Sequence, residues 1–382
     1  MIFSLFIVAL LNWLHLTQGG CSRMCFFHAS SSASTRFYPW NLDAKISSLC
    51  SHLIIGFAYT QGFANPRIIY HPKLREFMPR FSYLKNTGLK ILLQLLNYQN
   101  NLDDTFYEMI KSPAKRRVFI DNAVAELRGS DFDGVTVREK IINPLDNFRS
   151  EYLLFLQELA AAFRSEAARI GRPKLLLFAS LYDTFKVTRL DVFSDVNGIC
   201  REVDMVILET QALRPNSPQK YHAHPSRLYG EYPEDSSSIN YMTNYVISKG
   251  CAKEKLIISI TPTVSAYWEI NPEAEFNKRF VTFATIENYK ICPILRSGYT
   301  VHRLEDKSPY LIGPKVDGFY SIFLGNFLYY YEDEDSIKVK VDYIKQKGLG
   351  GIHLWEIIND DFANRCNRGQ YPILTAINRD CR

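Results

Sequence analysis

The 382-residue sequence contains no Asn-x-Ser/Thr sequon, no CxxC pair, no His/Cys cluster at zinc spacing and no glycine-rich phosphate loop. These absences argue in turn against N-glycosylation, a structural zinc site and a nucleotide-phosphate cradle. No metal and no other cofactor is therefore expected. A net charge of +5 over this length gathers into no compact basic tract, so nucleic acid is not an expected partner. Beyond the first residues, no stretch is apolar for the ~20 positions a membrane span requires.

What is present begins with a secretory layout. Met1 to Gly20 carries no charged side chain, has an apolar run from Ile2 to Leu11, and ends in two glycines. Residues 1–20 are expected to be a signal peptide and the mature protein extracellular. All eight cysteines (21, 25, 50, 200, 251, 292, 366 and 381) follow that segment. An even count in a secreted chain predicts disulfides rather than free thiols.

Short β-rich apolar runs alternate with helical stretches along most of the chain. The expected strands are Met24–Phe27, His52–Tyr59, Leu89–Leu96, Gly134–Arg138, Leu175–Ser180, Val203–Glu209, Lys255–Thr261 and Ile352–Ile357. Between the fourth and fifth, Leu153, Leu156, Leu159, Ala160, Phe163 and Ala167 mark one face of a helix over Tyr152–Arg169. Eight such strands predict an α/β fold, a (β/α)8 TIM barrel. The rhythm breaks between the seventh and eighth strands, in an aromatic, turn-rich stretch with strand-like pieces such as Gly318–Phe323. It reads as a small α+β insertion over 266–331, with barrel on either side at 21–265 and 332–382. Ser30–Ser34 reads as a short flexible loop.

Four places carry a resemblance. They are KQKGLGGIHLWEIINDDF from Lys345, IENYKICPIL from Ile286, Cys25 with Cys50 and the following HLIIGFAY, and FDGVTVREK from Phe132. Together, and in this register, they make the chain similar to the chitinases of glycoside hydrolase family 18. The resemblance implies the barrel with its insertion between strand 7 and helix 7. It also implies two usual bridges, Cys25–Cys50 and Cys292–Cys366. Within that implied barrel Cys200 and Cys251 precede neighbouring strands, while Cys21 and Cys381 lie at the two ends. The pairs Cys200–Cys251 and Cys21–Cys381 are expected on that ground, with other connectivities of these four formally open.

The family's catalytic strand has the pattern D-G-x-D-x-D-x-E, and alternate side chains share one face of a strand. The resemblance implies a substrate-assisted mechanism: the glutamic acid protonates the glycosidic oxygen, and the neighbouring aspartate holds the attacking N-acetyl group. Here the positions read Asp133, Gly134, then Thr136, Arg138 and Lys140. Thr136 cannot share a proton, and Arg138 is always protonated. Lys140, of ordinary pKa ~10.4, is a poor acid toward a glycosidic oxygen. Glu139 falls out of phase and reaches the cleft only through a β-bulge. On the sixth strand the family's Met-x-Tyr-Asp reads Ile207-Leu208-Glu209-Thr210, with Glu209 at the tyrosine position. Leu96-Asn97-Tyr98 replaces the Gly-Gly-Trp after the third strand, and Ser30 aligns with the cleft tryptophan after the first.

Trp355 remains where the family's barrel-floor tryptophan supports a sugar, although core packing is an equal reading. Tyr98 and Trp268 are further stacking candidates, with packing roles favoured for both. Arg138, Lys140 and Glu209 complete the candidate ligand-binding set. The expected protein is a secreted pseudoenzyme: a lectin-like or signalling factor with a basic cleft, taking a chito-oligosaccharide or an anionic glycan. A protein-interaction scaffold that binds a protein receptor and no sugar is the alternative. A divergent hydrolase using Glu209 or Glu139 is the least favoured.

Overall fold

A computed structural model describes residues 20–29, 36–97, 105–139, 148–181, 190–213, 222–233, 235–313 and 326–382. Eight parallel strands close into a barrel: β1 (Ser22–His28), β2 (His52–Gln61), β4 (Lys90–Asn97), β5 (Gly134–Glu139), β6 (Leu176–Leu181), β7 (Met205–Leu208), β8 (Leu256–Ile260) and β14 (Gly351–Leu354). β1 pairs in parallel with both β14 and β2, which removes every free edge from the ring. β3 (Arg67–Tyr70) hangs antiparallel from the end of β2.

Period-two alternation divides the strand side chains into two cores. Met24, Phe26, Ile54, Leu92, Phe178, Ile207 and Ile257 fill the barrel interior. Their neighbours in sequence, among them Cys25, Phe27, Leu93, Val135, Val137, Leu177, Val206 and Ile258, face the surrounding helices. Each fully buried aliphatic or aromatic side chain contributes about 1.5–3 kcal/mol relative to exposure. On β5 this phase places Thr136 and Arg138 on the interior side, opposite Val135 and Val137.

Gly134 is required where β5 begins. A Cβ there would lie 2.1 Å from the Leu176 carbonyl oxygen of β6, so no larger residue fits without moving the strands apart.

The long helix Arg149–Ile170 buries Tyr152, Phe155, Leu156, Leu159, Ala160, Phe163 and Glu166. The face is therefore turned from the expected one, with Leu153 and Ala167 only partly covered. Glu166 is tolerated inside because Arg128 donates to both its oxygens, at 2.9 and 2.6 Å. Gly171 then adopts φ +65° and ends the helix in a left-handed cap.

Between β8 and the helix Glu334–Lys347 lies a second, antiparallel sheet. Its strands are β9 (Val264–Glu269), β10 (Phe280–Ile286), β11 (His302–Arg303), β12 (Pro309–Gly313) and β13 (Phe327–Tyr330), in the order β10-β9-β13-β12-β11. This is the insertion between strand 7 and helix 7. Val264, Ala266, Phe327 and Tyr329 pack on one face, and Tyr267, Phe280, Leu328 and Tyr330 on the other. The strand-like piece Gly318–Phe323, the loop Ser30–Ser34 and Met1–Gly19 of the expected signal segment lie outside the described residues.

All eight cysteines are joined, as Cys21–Cys381, Cys25–Cys50, Cys200–Cys251 and Cys292–Cys366. The last ties the insertion to the segment after β14. Among the described residues no helix is long and apolar enough to cross a membrane.

Candidate functional site at the barrel mouth

Strand β5 runs from the foot of the barrel to its mouth, and its residues divide accordingly. At the foot, the Asp133 amide donates to the Ile91 carbonyl at 2.7 Å. The Asp133 carboxylate accepts from the Ile91 amide at 2.8 Å, and Lys85 lies 3.3 Å away. Asp133 thus stitches β5 to β4 and lies outside the inward-facing series.

One turn of the pleat above Gly134, Thr136 is wholly buried beside Gln94, its register partner on β4. Ser180 of β6 and His353 of β14 also point into the closed interior as buried polar groups. His353 Nδ1 lies 2.8 Å from the Ser259 hydroxyl. Burial lowers its pKa to about 4, with Glu209 pulling upward and Arg138 downward, so the imidazole is neutral at physiological pH.

At the mouth, Arg138 and Glu209 form a two-pronged ion pair. Arg138 Nε donates to Glu209 Oε1 and Nη2 to Oε2, both at 2.6 Å. Gln211 Nε2 adds a third donor to Oε2 at 2.9 Å. The Glu209 side chain is 2% exposed and that of Arg138 13%, so the pair is largely withdrawn from water. The planar fork of Arg matches a carboxylate, and each charge supplies what desolvation would otherwise make costly in the other. The positive charge read on the catalytic strand is therefore matched at Arg138 by Glu209. Lys140, the second cation of that reading, lies outside the described residues, as do the Glu139 side chain, Ser30 and Tyr98.

The same guanidinium lies over Trp355, 4.8 Å from the ring centroid. Phe26 stacks on Trp355 nearly parallel, at 4.0 Å and 5°. Trp355 thus has a cation and an aromatic ring as immediate neighbours at the end of β14, and stays partly exposed. Glu356, next in sequence, is buried, and burial pushes its carboxyl up to about 8 against the opposing hydrogen bonds from the His28 backbone and the Asn359 amide. It is mostly protonated at neutral pH.

Thr210 and Trp268 take other positions. The Thr210 hydroxyl donates to the Ser259 carbonyl at 2.6 Å and accepts from the Ser259 amide at 2.9 Å, which ties the end of β7 to β8. Trp268 sits in β9 between Val281 and Phe327 and packs against the insertion core. Phe26, Gln211 and Glu356 escaped the sequence reading. Phe26 had a signal, being two residues from Met24 on the inward face of β1, and Gln211 is likewise two residues from Glu209.

A closed eight-stranded barrel with an antiparallel insertion after its seventh strand, and a tryptophan ending its eighth, defines the chitinase class of fold. The chain belongs to that class's family: the description "Glycosyl hydrolases family 18" matches residues 22–360. Human chitinase-3-like protein 2 is 27% identical, over 96% of this chain and 94% of its own length. An endochitinase of Brugia malayi is 28% identical, over 90% of this chain and 69% of its own. Human YKL-39, described as a pseudo-chitinase with retained chitooligosaccharide binding properties, superposes with a TM-score of 0.79 at 25% identity. That match covers 94% of this chain and 99% of YKL-39. Enzymes and a pseudo-chitinase alike are thus among the relatives.

Proposed function

We propose that this chain is a secreted, non-hydrolytic glycan-binding protein of the chitinase-like type. The observation that carries the proposal is the Arg138–Glu209 pair at the barrel mouth, in which Arg138 stands at a position where the family motif has an acid. Glycosidic cleavage needs a carboxylic acid that gives up a proton to the leaving oxygen and takes one back. Arg138 cannot cycle a proton. Both Glu209 oxygens are occupied by donors, Oε1 by Arg138 and Oε2 by Arg138 and Gln211. Neutral, buried His353 and the wall-bound Thr136 offer no replacement. What supports glycan binding is the partly exposed Trp355 and the described binding of chitooligosaccharides by YKL-39. The disulfides support an extracellular site of action. A basic cleft would rest on Lys140, since Arg138 is matched.

The experiment pairs calorimetric titration with chitotetraose and incubation with a fluorogenic chitotrioside. Binding without turnover is the expected result. Turnover that disappears in Glu209→Gln, Glu139→Gln or Glu356→Gln would restore the enzyme reading. A chain that binds neither neutral nor anionic oligosaccharides, but retains a protein from extracellular fluid, would support the scaffold reading. That reading has one observation of its own: Arg138 and Phe26 crowd the tryptophan on which a sugar would stack.

A further inference from the structure

A second polar cavity lies away from the β5 mouth, at the junction of the insertion with the rim of the barrel. Its volume is about 560 Å3, and its walls include Arg36, Lys290, Arg365, Glu287 and Tyr289. Three cations thus meet one carboxylate. That carboxylate, Glu287, is already engaged by Lys290 at 2.8 Å. Arg36 and Arg365 have no ion pair among the described residues, and both are exposed to solvent. Arg365 is held in place by Tyr289, its guanidinium lying 4.1 Å from the ring centroid. Asp361, in the segment before Arg365, is buried and turned to the amides of Arg365 and Cys366, each at 2.8 Å. The pocket therefore keeps an excess of positive charge facing open space.

Its walls are also fixed before any ligand arrives. Cys292–Cys366 links the segment bearing Tyr289 and Lys290 to the segment bearing Arg365. Arg36 comes from the loop after β1, and next to it Phe37 is buried against Phe362 and Phe27, at centroid distances of 5.1 and 5.2 Å. Such preorganisation lowers the ordering cost of binding.

The same loop carries an aromatic pair. Tyr38 and Trp40 stack at 4.5 Å and 18°, yet remain 44% and 64% exposed. Asn41 accepts the Tyr38 amide at 2.8 Å and fixes the turn that presents them. Tyr38 follows Arg36 by two residues on this loop, and rings left in water suit an apolar sugar face as exposed guanidinium groups suit an anionic substituent.

We infer that this rim pocket binds the anionic group of an acidic oligosaccharide, a sulfate ester or a uronate carboxylate, while Tyr38 and Trp40 stack on an adjoining sugar ring. The inference rests on the glycan-binding reading for its ligand class, but uses a different site from the β5 mouth. Arg36 and Arg365 supply the charge, and the aromatic pair supplies the preference for a sugar over any other polyanion.

The test is calorimetric titration of the full chain with four probes: chitotetraose, 6-O-sulfated chitotetraose, an oligogalacturonate and a hexaglutamate peptide. The sulfated or the uronate sugar, or both, should bind at least tenfold more tightly than neutral chitotetraose. Whichever binds identifies the anionic group. The double variant Arg36→Gln/Arg365→Gln should lose about tenfold and show a shallower salt dependence, and Trp40→Ala should lose a few-fold. All three residues are exposed, and an unchanged Tm will confirm folding. Equal affinity for neutral and acidic sugars, indifference to the double variant, or hexaglutamate binding as tightly as the best sugar would each overturn the inference. If neutral chitotetraose fails to bind while the acidic sugar binds through Arg36 and Arg365, the mouth reading falls and the rim pocket stands.

Discussion

The two ends of strand β5 have met different constraints. At the foot, Asp133 exchanges hydrogen bonds with the backbone of β4, and Gly134 lies where any Cβ would strike β6. Above it, Thr136 is wholly buried in the interior and Arg138 pairs with Glu209 at the mouth. The foot is fixed by backbone geometry, whereas the mouth is held by a side-chain pair. There the buried Arg138 guanidinium is matched by the Glu209 carboxylate just past the end of β7.

The sharpest way to break this comparison is at the foot. Gly134→Ala should abolish or severely impair folding, costing more than about 4 kcal/mol by urea unfolding, because a backbone atom is in the way. A fully stable Gly134→Ala protein would remove the claim that the foot is fixed by packing. Next in size is Arg138→Ala, which leaves the Glu209 charge buried without its main partner and should cost about 3–5 kcal/mol. The double substitution Arg138→Met/Glu209→Leu should recover most of that loss, since replacing both partners with apolar groups is often neutral. A double variant as unstable as the single one would mean that the mouth, too, is tied to the particular pair. Smaller is Asp133→Asn, expected to cost about 1–2 kcal/mol through a weakened bond to the Ile91 amide.

Acidity separates two groups near the mouth. The folded pKa of Glu356 is raised to about 8, so its stabilising contribution is complete below the ordinary carboxylate value and is lost as pH rises through 8. The folded pKa of His353 is lowered to about 4, so the unfolded chain binds the extra proton, and stability falls as pH drops from 6.5 toward 4. Between about pH 4.5 and 6.5 the two slopes oppose each other, so Tm should decline from about pH 6.5 to 8 in the native protein, and decline less in Glu356→Gln. An unchanged slope over pH 6.5 to 8 in that variant would show that Glu356 does not titrate as its burial implies.

Much of the barrel was legible because its signals are local. Alternation within a few residues marks each strand, and the long gap before Ile352 marks the insertion. The inward phase of Thr136 and Arg138 followed from the same period of two. On the helix over Tyr152–Arg169 the expected Leu156, Leu159, Ala160 and Phe163 are buried, but the covered face also takes in Tyr152, Phe155 and Glu166, the last tolerated only because Arg128 from another helix pairs with it. Glu209 and Arg138 were both singled out, but 71 residues separate them, and their neutralisation of each other is a tertiary fact. Asp133 and Thr210 carried family meaning in the sequence and proved to be stitches between strands. Arg36 and Arg365 gave no joint signal at all, since only ring closure and the Cys292–Cys366 link bring their segments together.

The Cys21–Cys381 bond, which spans 360 positions of the sequence, also has a mechanical meaning. Tension applied to the chain outside those two residues passes through one covalent link and bypasses every strand and helix between them. Pulled in this way the barrel is a closed loop under no load, and only reduction would transfer the force to β1 and the last helix.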